Sequence, residues 1–294
     1  MMKSALKNPI VYWSFVLPSL ALYFLFFIYT LLTSVGYGFT DWNALETARY
    51  VGLDNFRQAF ADSDFWVSVR NNMYFILFSV FLQVPLIIFF SLLISSVRKL
   101  QGLYKTTVFM PAILSTSIIG ILWGFLYHPN DGLFNKIVEL FGGEPIMWLG
   151  DTKWAMLSIL VTNAWQWMGF YIVLILAAIL SLPKEINEAA SIDGATGFQR
   201  AIRITVPLIM PIISVVVMLS IAGAMRVIDI VLVMTNGGPA GATEVMASYM
   251  VNQGTRYGEY GYAMALSILI FAIALLLTAC YQLIFARKQE GIEY

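Results

Sequence analysis

Six long apolar blocks, separated by polar intervals, set the pattern of this chain. They fall at about 11–33, 73–95, 107–127, 155–181, 207–228 and 262–285. Each is near the ~20 residues a helix needs to cross the hydrocarbon of a bilayer. The pattern therefore predicts an all-α membrane protein with six transmembrane helices. The first block follows Lys3 and Lys7. It is longer than the ~7–15 apolar residues of a signal-peptide core, and no small-x-small cleavage site follows it, so it reads as a retained span. Pro18 is expected to kink it. Composition agrees: of 294 residues, 60% are hydrophobic and 12% charged, against roughly 45–50% and 25% in soluble domains.

Lys and Arg in the polar intervals set the orientation. With residues 1–10 in the cytoplasm, the inner segments carry ten Lys and Arg and the longer outer segments carry seven. Both termini are expected inside, as is the interval 182–206. Residues 11–294 are expected to form one six-helix membrane domain. The formal net charge of zero gives no reason to expect nucleic acid. A single cysteine, Cys280, excludes a disulfide framework and a Cys-rich metal site. A single histidine, His128, leaves no basis for a His metal cluster or a Ser-His relay.

Several polar or small residues interrupt the spans. Gln83, in span 2, reads as glue between helices. Ser115, Thr116 and Ser117 lie in mid-span 3, where they either bond their own helix backbone or line a cavity. Trp165 and Trp167 in span 4 are two residues apart and point to different faces, so at most one faces a central cavity. Gly169 would admit a close neighbour. Ser220, Gly223 and Ala224 lie near mid-depth in span 5. Arg226 and Asp229 follow at i and i+3 and are expected to pair on one helix face. In the interval 34–72, Phe56, Ala59, Phe60 and Phe65 suggest a short amphipathic helix at the membrane interface.

The longest polar interval of the second half, Pro183 to Pro211, reads as helix, break, helix. Ala189 and Ala190 favour helix, and Gly194 and Gly197 interrupt it, glycine being the usual residue just past a helix end. Ile186, Ala189, Ala190 and Asp193 share one side of the first helix, and Glu188 gives it a fixed charge. The result is a small-faced knob held out of the membrane by two spans.

The spacing in this knob resembles the EAA motif of the permease subunits of ABC importers. Glu188-Ala189-Ala190 is followed by Gly194, Ile204 and Val206-Pro207 at the intervals of that motif. Two further stretches resemble carbohydrate-type members of the family: Gly52-Leu53-Asp54-Asn55-Phe56 before span 2, and the D-x5-T-x-GGP signature from Asp229 through Thr235 to Gly237-Gly238-Pro239. The sequence departs at Val206, where the family usually has Leu, and at Thr30, where it often has Pro.

The resemblance covers about Leu17 to Lys288 and implies a type I ABC importer permease with a MetI-like core, similar to maltose and multiple-sugar permeases. It implies a place in the bacterial or archaeal cytoplasmic membrane and a carbohydrate substrate, most simply an oligosaccharide. It implies four kinds of partner besides lipid: a second homologous permease, two ATPase subunits, an extracytoplasmic solute-binding protein and the sugar. ATP and Mg²⁺ would sit on the ATPases, and this chain would bind no cofactor and catalyse no reaction. It has no G-x4-G-K-[ST] phosphate loop of its own. Glu188, Ala189, Ala190, Asp193 and Gly194 would couple to the ATPase. Residue chemistry and family together nominate Thr116, Trp165, Met168, Gly169, Ser220, Gly223 and Ala224 as the substrate cavity. None is charged, which leans toward a neutral sugar. An ion-coupled secondary transporter or a passive channel, neither needing an ATPase, is the alternative class.

Overall fold

A computed structural model describes residues 9–97 and 99–289. Most of them are helical, and the strand-like pairing among them is an isolated antiparallel bridge between Thr40 and Tyr50. The helices are α1 (Val11–Tyr37), α2 (Asp54–Ala61), α3 (Ser63–Ser96), α4 (Gln101–Ile113), α5 (Thr116–Leu126), α6 (Leu133–Leu140) and α7 (Thr152–Ser181). They continue as α8 (Lys184–Ile192), α9 (Gly197–Leu208), α10 (Met210–Arg226), α11 (Asp229–Met234), α12 (Met246–Thr255) and α13 (Tyr260–Gln289). Four of them, α1, α3, α7 and α13, are long and apolar enough to cross a membrane singly. The pairs α4–α5 and α9–α10 meet the same test as bent spans, turning by 97° and 71° at their breaks. The expected cytoplasmic N-terminal segment lies almost wholly outside the described residues.

Both bends have local causes. Leu114 and Ser115 adopt extended backbone between α4 and α5, and the Ser115 hydroxyl caps α5 through a long bond from the Ile118 N–H at 3.5 Å. Serine competes for backbone hydrogen bonds and favours caps over helix interiors. The serine-threonine run is thus a helix start, whereas the apolar pattern predicted one continuous span. At the second bend Ile209 leaves helical geometry between Pro207 and Pro211. Pro211 has no N–H to offer the carbonyl of Pro207, so the helical ladder is interrupted there.

The chain divides into two compact units. One combines the chain up to Asp62 with Met250–Phe271. Within it, buried Asn55 donates from Nδ2 to the carbonyls of Gly38 and Thr40, each at 2.9 Å. The Asn of the Gly52–Phe56 stretch is thereby a latch on the loop after α1. Tyr37 stacks on Trp42 with ring centroids 4.3 Å apart, and the Tyr262 hydroxyl donates to Asp62 at 2.7 Å. Helix α1 buries almost none of its apolar surface.

The other unit combines Ser63–Tyr249 with the chain from Ala272 onward. Its second span, α3, starts at Ser63, ten residues before the apolar block at 73. The extension is polar by composition, yet its Ser68, Asn71 and Asn72 are buried with their hydrogen bonds made. Asn71 Nδ2 donates to the carbonyls of Ala242 and Glu244 at 3.1 and 2.8 Å. Asn72 Nδ2 donates to Ala224 O at 2.8 Å, and its Oδ1 accepts from Met246 N at 2.8 Å. These bonds tie α3 to the end of α10 and to the Gly-Gly-Pro loop. An unmade buried hydrogen bond costs roughly 1–3 kcal/mol. Asn72→Ala strands two such backbone groups, so a fall in the thermal unfolding midpoint of the detergent-purified protein of several degrees is expected, and Asn72→Asp should not restore it.

Candidate functional site

Three helices carry the same vertical order of chemistry. On α3, Phe75 belongs to one apolar cluster and Val84 and Ile87 to a second, and Ser79 and Gln83 lie between them. On α7, Met156, Ile159 and Leu160 belong to the first cluster and Ile172, Ile175 and Leu176 to the second, with Asn163 and Trp167 between. On α10, Ile213, Val216 and Val217 are in the second cluster, followed by Ser220 and Gly223, and then Ala224 of the first, with Val227 of the first just past the helix end. A polar layer is thus sandwiched between two apolar ones. It falls near the middle of α7, which at 30 residues is about 45 Å long.

The layer borders an open cavity of about 240 Å³. Thr116, at the start of α5, lines it, as do Ser220, Gly223 and Ala224. Tyr171 lines it too, its hydroxyl beside that of Ser220. A π-helical turn at Ser79–Gln83 turns both ends of that segment toward the space. Gln83 also donates to Ala164 O at 3.3 Å. The fully buried Gln166 donates to Leu114 O at 3.3 Å and to Thr116 Oγ1 at 3.1 Å, bracing the break before α5.

Of the seven residues nominated for the cavity, three do not line it. The Trp165 ring packs 5.3 Å from that of Trp123, and its neighbour two residues on, Trp167, takes the place at the lining. Met168 packs against the second apolar cluster. Gly169 is buried where a Cβ would overlap the backbone carbonyl of Val108, so its small size serves the approach of α4.

Arg226 and Asp229 both line the cavity and, among the described residues, do not form an ion pair with each other. The expected i, i+3 pairing assumed one helix. Instead α10 ends at Arg226, Val227 turns to extended backbone, and Asp229 starts α11. The cavity therefore holds charge of both signs at one end, and the lean toward a neutral sugar drawn from uncharged residues loses its basis.

The knob is built as two helices and a left-handed turn. Gly194 has φ +77°, its N–H reaches Ser191 O at 3.2 Å, and the Ala195 N–H reaches Ala190 O at 3.0 Å. These are the paired bonds of a Schellman stop. Thr196 and Gln199 then form a reciprocal capping box that starts α9. Arg200 donates to the Ser191 hydroxyl at 2.8 Å and fastens α9 to α8. Glu188, Ala189, Asp193 and Gly194 are exposed, and Ala190 is buried. Beside them Ile192 is 86% exposed and Phe198 75%, so the knob presents apolar surface around an acid. No neighbour lies within 4 Å of a Cβ at Gly194. The cost of substitution is therefore backbone strain alone, roughly 1–2 kcal/mol for an ordinary L-residue. Gly194→Val should lower the yield of intact transporter more than Gly194→Asn, which tolerates positive φ; equal yields by size-exclusion chromatography would refute this.

A bundle of membrane-length helices with a polar cavity and a helix-capped knob between two spans is the architecture a transport permease requires. The whole chain agrees. Residues 4–290 match the family of binding-protein-dependent transport system inner membrane components, and the chain belongs to that family. Among curated relatives it is 35% identical over 232 residues to the trehalose/maltose transport system permease protein MalF of Thermococcus litoralis, covering 79% of this chain and 78% of that one. It is 31% identical over 290 residues to a probable ABC transporter permease protein, YurN, of Bacillus subtilis, covering 97% and 99%. It is 30% identical to the diacetylchitobiose uptake system permease protein NgcF of Streptomyces coelicolor over 274 residues, 88% of this chain and 78% of that one. The fold is similar to a chain of a bacterial alginate ABC transporter solved with a pentasaccharide-bound periplasmic protein, with a TM-score of 0.85, 24% identity and coverage of 97% and 96%.

Proposed function

We propose that this chain is the permease subunit through which an ATP-driven importer moves an oligosaccharide across the cytoplasmic membrane. The polar layer between the two apolar clusters carries this reading. A sugar presents hydroxyls at its edges and weakly apolar C–H faces, so its site needs aromatic surface beside a few hydrogen-bonding groups. Trp167 and Tyr171 offer the first, and Thr116, Asn163 and Ser220 the second. Transporters place such sites near mid-membrane beside broken helices, and Thr116 opens the second half of the broken α4–α5 span. Curated relatives named for maltose and diacetylchitobiose transport support the substrate class.

Both termini and the knob face the cytoplasm in this reading, as the Lys and Arg distribution favours. ATP closes a dimer of ATPase subunits, the docked α8 moves with it, and the cavity opens outward. A solute-binding protein delivers the sugar, and hydrolysis resets the assembly. A second homologous permease completes the pathway. No bond in the sugar is made or broken, so this chain acts as a gate and a coupling rod. The test is ATP-dependent uptake of candidate oligosaccharides by the complete transporter in proteoliposomes. Uptake driven by an ion gradient without ATP would instead support a secondary transporter.

A further inference from the structure

Neither the cavity nor the knob uses a second recess, about 460 Å³ in volume, between the starts of α3 and α7. Arg70 and Tyr74 border it from α3, and Lys153, Met156, Leu157 and Leu160 from α7. Each helix continues away from its cation as an exposed apolar stripe. On α3, Arg70, Tyr74, Leu77 and Phe81 follow at steps of four, three and four residues, which keeps them on one face, and all four are exposed. On α7, Lys153, Leu157 and Val161 do the same. The Arg70 guanidinium lies 6.0 Å from the Tyr74 ring centre, turned along its own helix toward the recess. Among the described residues, neither the Arg70 guanidinium nor the Lys153 ammonium forms a salt bridge within 4 Å; the nearby Asp151 carboxylate caps α7, accepting from the Lys153 backbone N–H at 2.9 Å.

We propose that this recess binds an anionic phospholipid, with the phosphate between Arg70 and Lys153 and an acyl chain along the stripes below. Two unpaired cations at the rim of a membrane-facing groove call for an anion, and the stripes call for a hydrocarbon chain. The lengths agree as well: eleven residues from Arg70 to Phe81 rise about 16 Å, close to half of a ~30 Å hydrocarbon core. A second permease subunit laid in the same groove would cover the stripes but would have to bring carboxylates to both cations. On the orientation proposed above, the lipid belongs to the extracytoplasmic leaflet.

The complete transporter, purified in mild detergent, can be titrated with phosphatidylglycerol or phosphatidylcholine and read by native mass spectrometry. The wild type should retain phosphatidylglycerol in preference to phosphatidylcholine. R70A/K153A should weaken phosphatidylglycerol binding about thirtyfold, the weight of two cations at an anionic surface, and leave phosphatidylcholine unchanged. R70K/K153R should keep the preference. R70Q/K153Q, which keeps polar side chains at both positions, should lose it and is read beside the alanine pair in case that pair assembles poorly. An unchanged preference in the glutamine pair would overturn the proposal. So would loss of the second permease from that variant with no change in bound lipid, which would assign the groove to a subunit contact.

Discussion

Replacing Glu188 by Lys leaves the subunit in the membrane and abolishes substrate-stimulated ATP hydrolysis by the purified transporter. The expectation rests on where the side chain sits. Glu188 is exposed on α8, on a knob whose fold is fixed by other residues: the Gly194 stop, the Thr196–Gln199 capping box and the Arg200–Ser191 bond. Nothing in that set needs the carboxylate, so charge reversal should not unfold the knob. It does change what a partner meets, since Ile192 and Phe198 surround the acid with apolar surface. Leaving a charge mispaired in a buried interface costs about 2–5 kcal/mol, enough to release or uncouple an ATPase. Immunoblotting of membranes and ATPase assays with and without substrate-loaded binding protein measure the two halves. Normal stimulation in the variant would remove Glu188 from the coupling contact.

Gly223→Leu is expected to reduce uptake to background while basal ATP hydrolysis and complex assembly persist. Gly223 lies on the cavity wall, and a Cβ there would stand 3.8 Å from the Tyr171 hydroxyl, an ordinary contact. Gly223→Ala is therefore accommodated and should transport nearly normally. The further carbons of Leu enter the proposed sugar site, a space of about 240 Å³ lined also by Tyr171 and Ser220. Because the residue is exposed to the cavity, the loss is of room for substrate and not of packing. Trp167→Ala should weaken uptake by removing a wall of the same space, and Trp165→Ala should act on stability through Trp123. Transport by Gly223→Leu at the rate of Gly223→Ala would refute the cavity assignment and leave the family membership untouched.

The apolar blocks were legible in the sequence because a bilayer imposes a length and a polarity that composition records directly; four became single spans, and the bends in the other two were not legible. Nor was the start of α3. Ser68, Asn71 and Asn72 read as loop; Ser68 bonds back to Phe65 O in its own helix, and only the bonds of Asn71 and Asn72 to distant carbonyls show why those amides can be buried. The knob was legible because glycine, capping residues and alanine act within a few residues of themselves, and the left-handed Gly194 follows from local rules alone. The cavity was legible by helix and not by residue. Facing depends on rotations that three helices settle together, which brings Trp167 to the lining in place of Trp165. The separation of Arg226 from Asp229 needed a helix break at Val227 that no proline or glycine signals.

Isolation of the tagged chain from its native membranes, with mass spectrometry of everything that remains bound, tests the central claim most directly. The account predicts a second, homologous permease and an ATPase carrying a phosphate-binding loop, with two ATPase copies per copy of this chain. Recovery of the chain alone, in a form that transports sugar on an ion gradient without ATP, would contradict it.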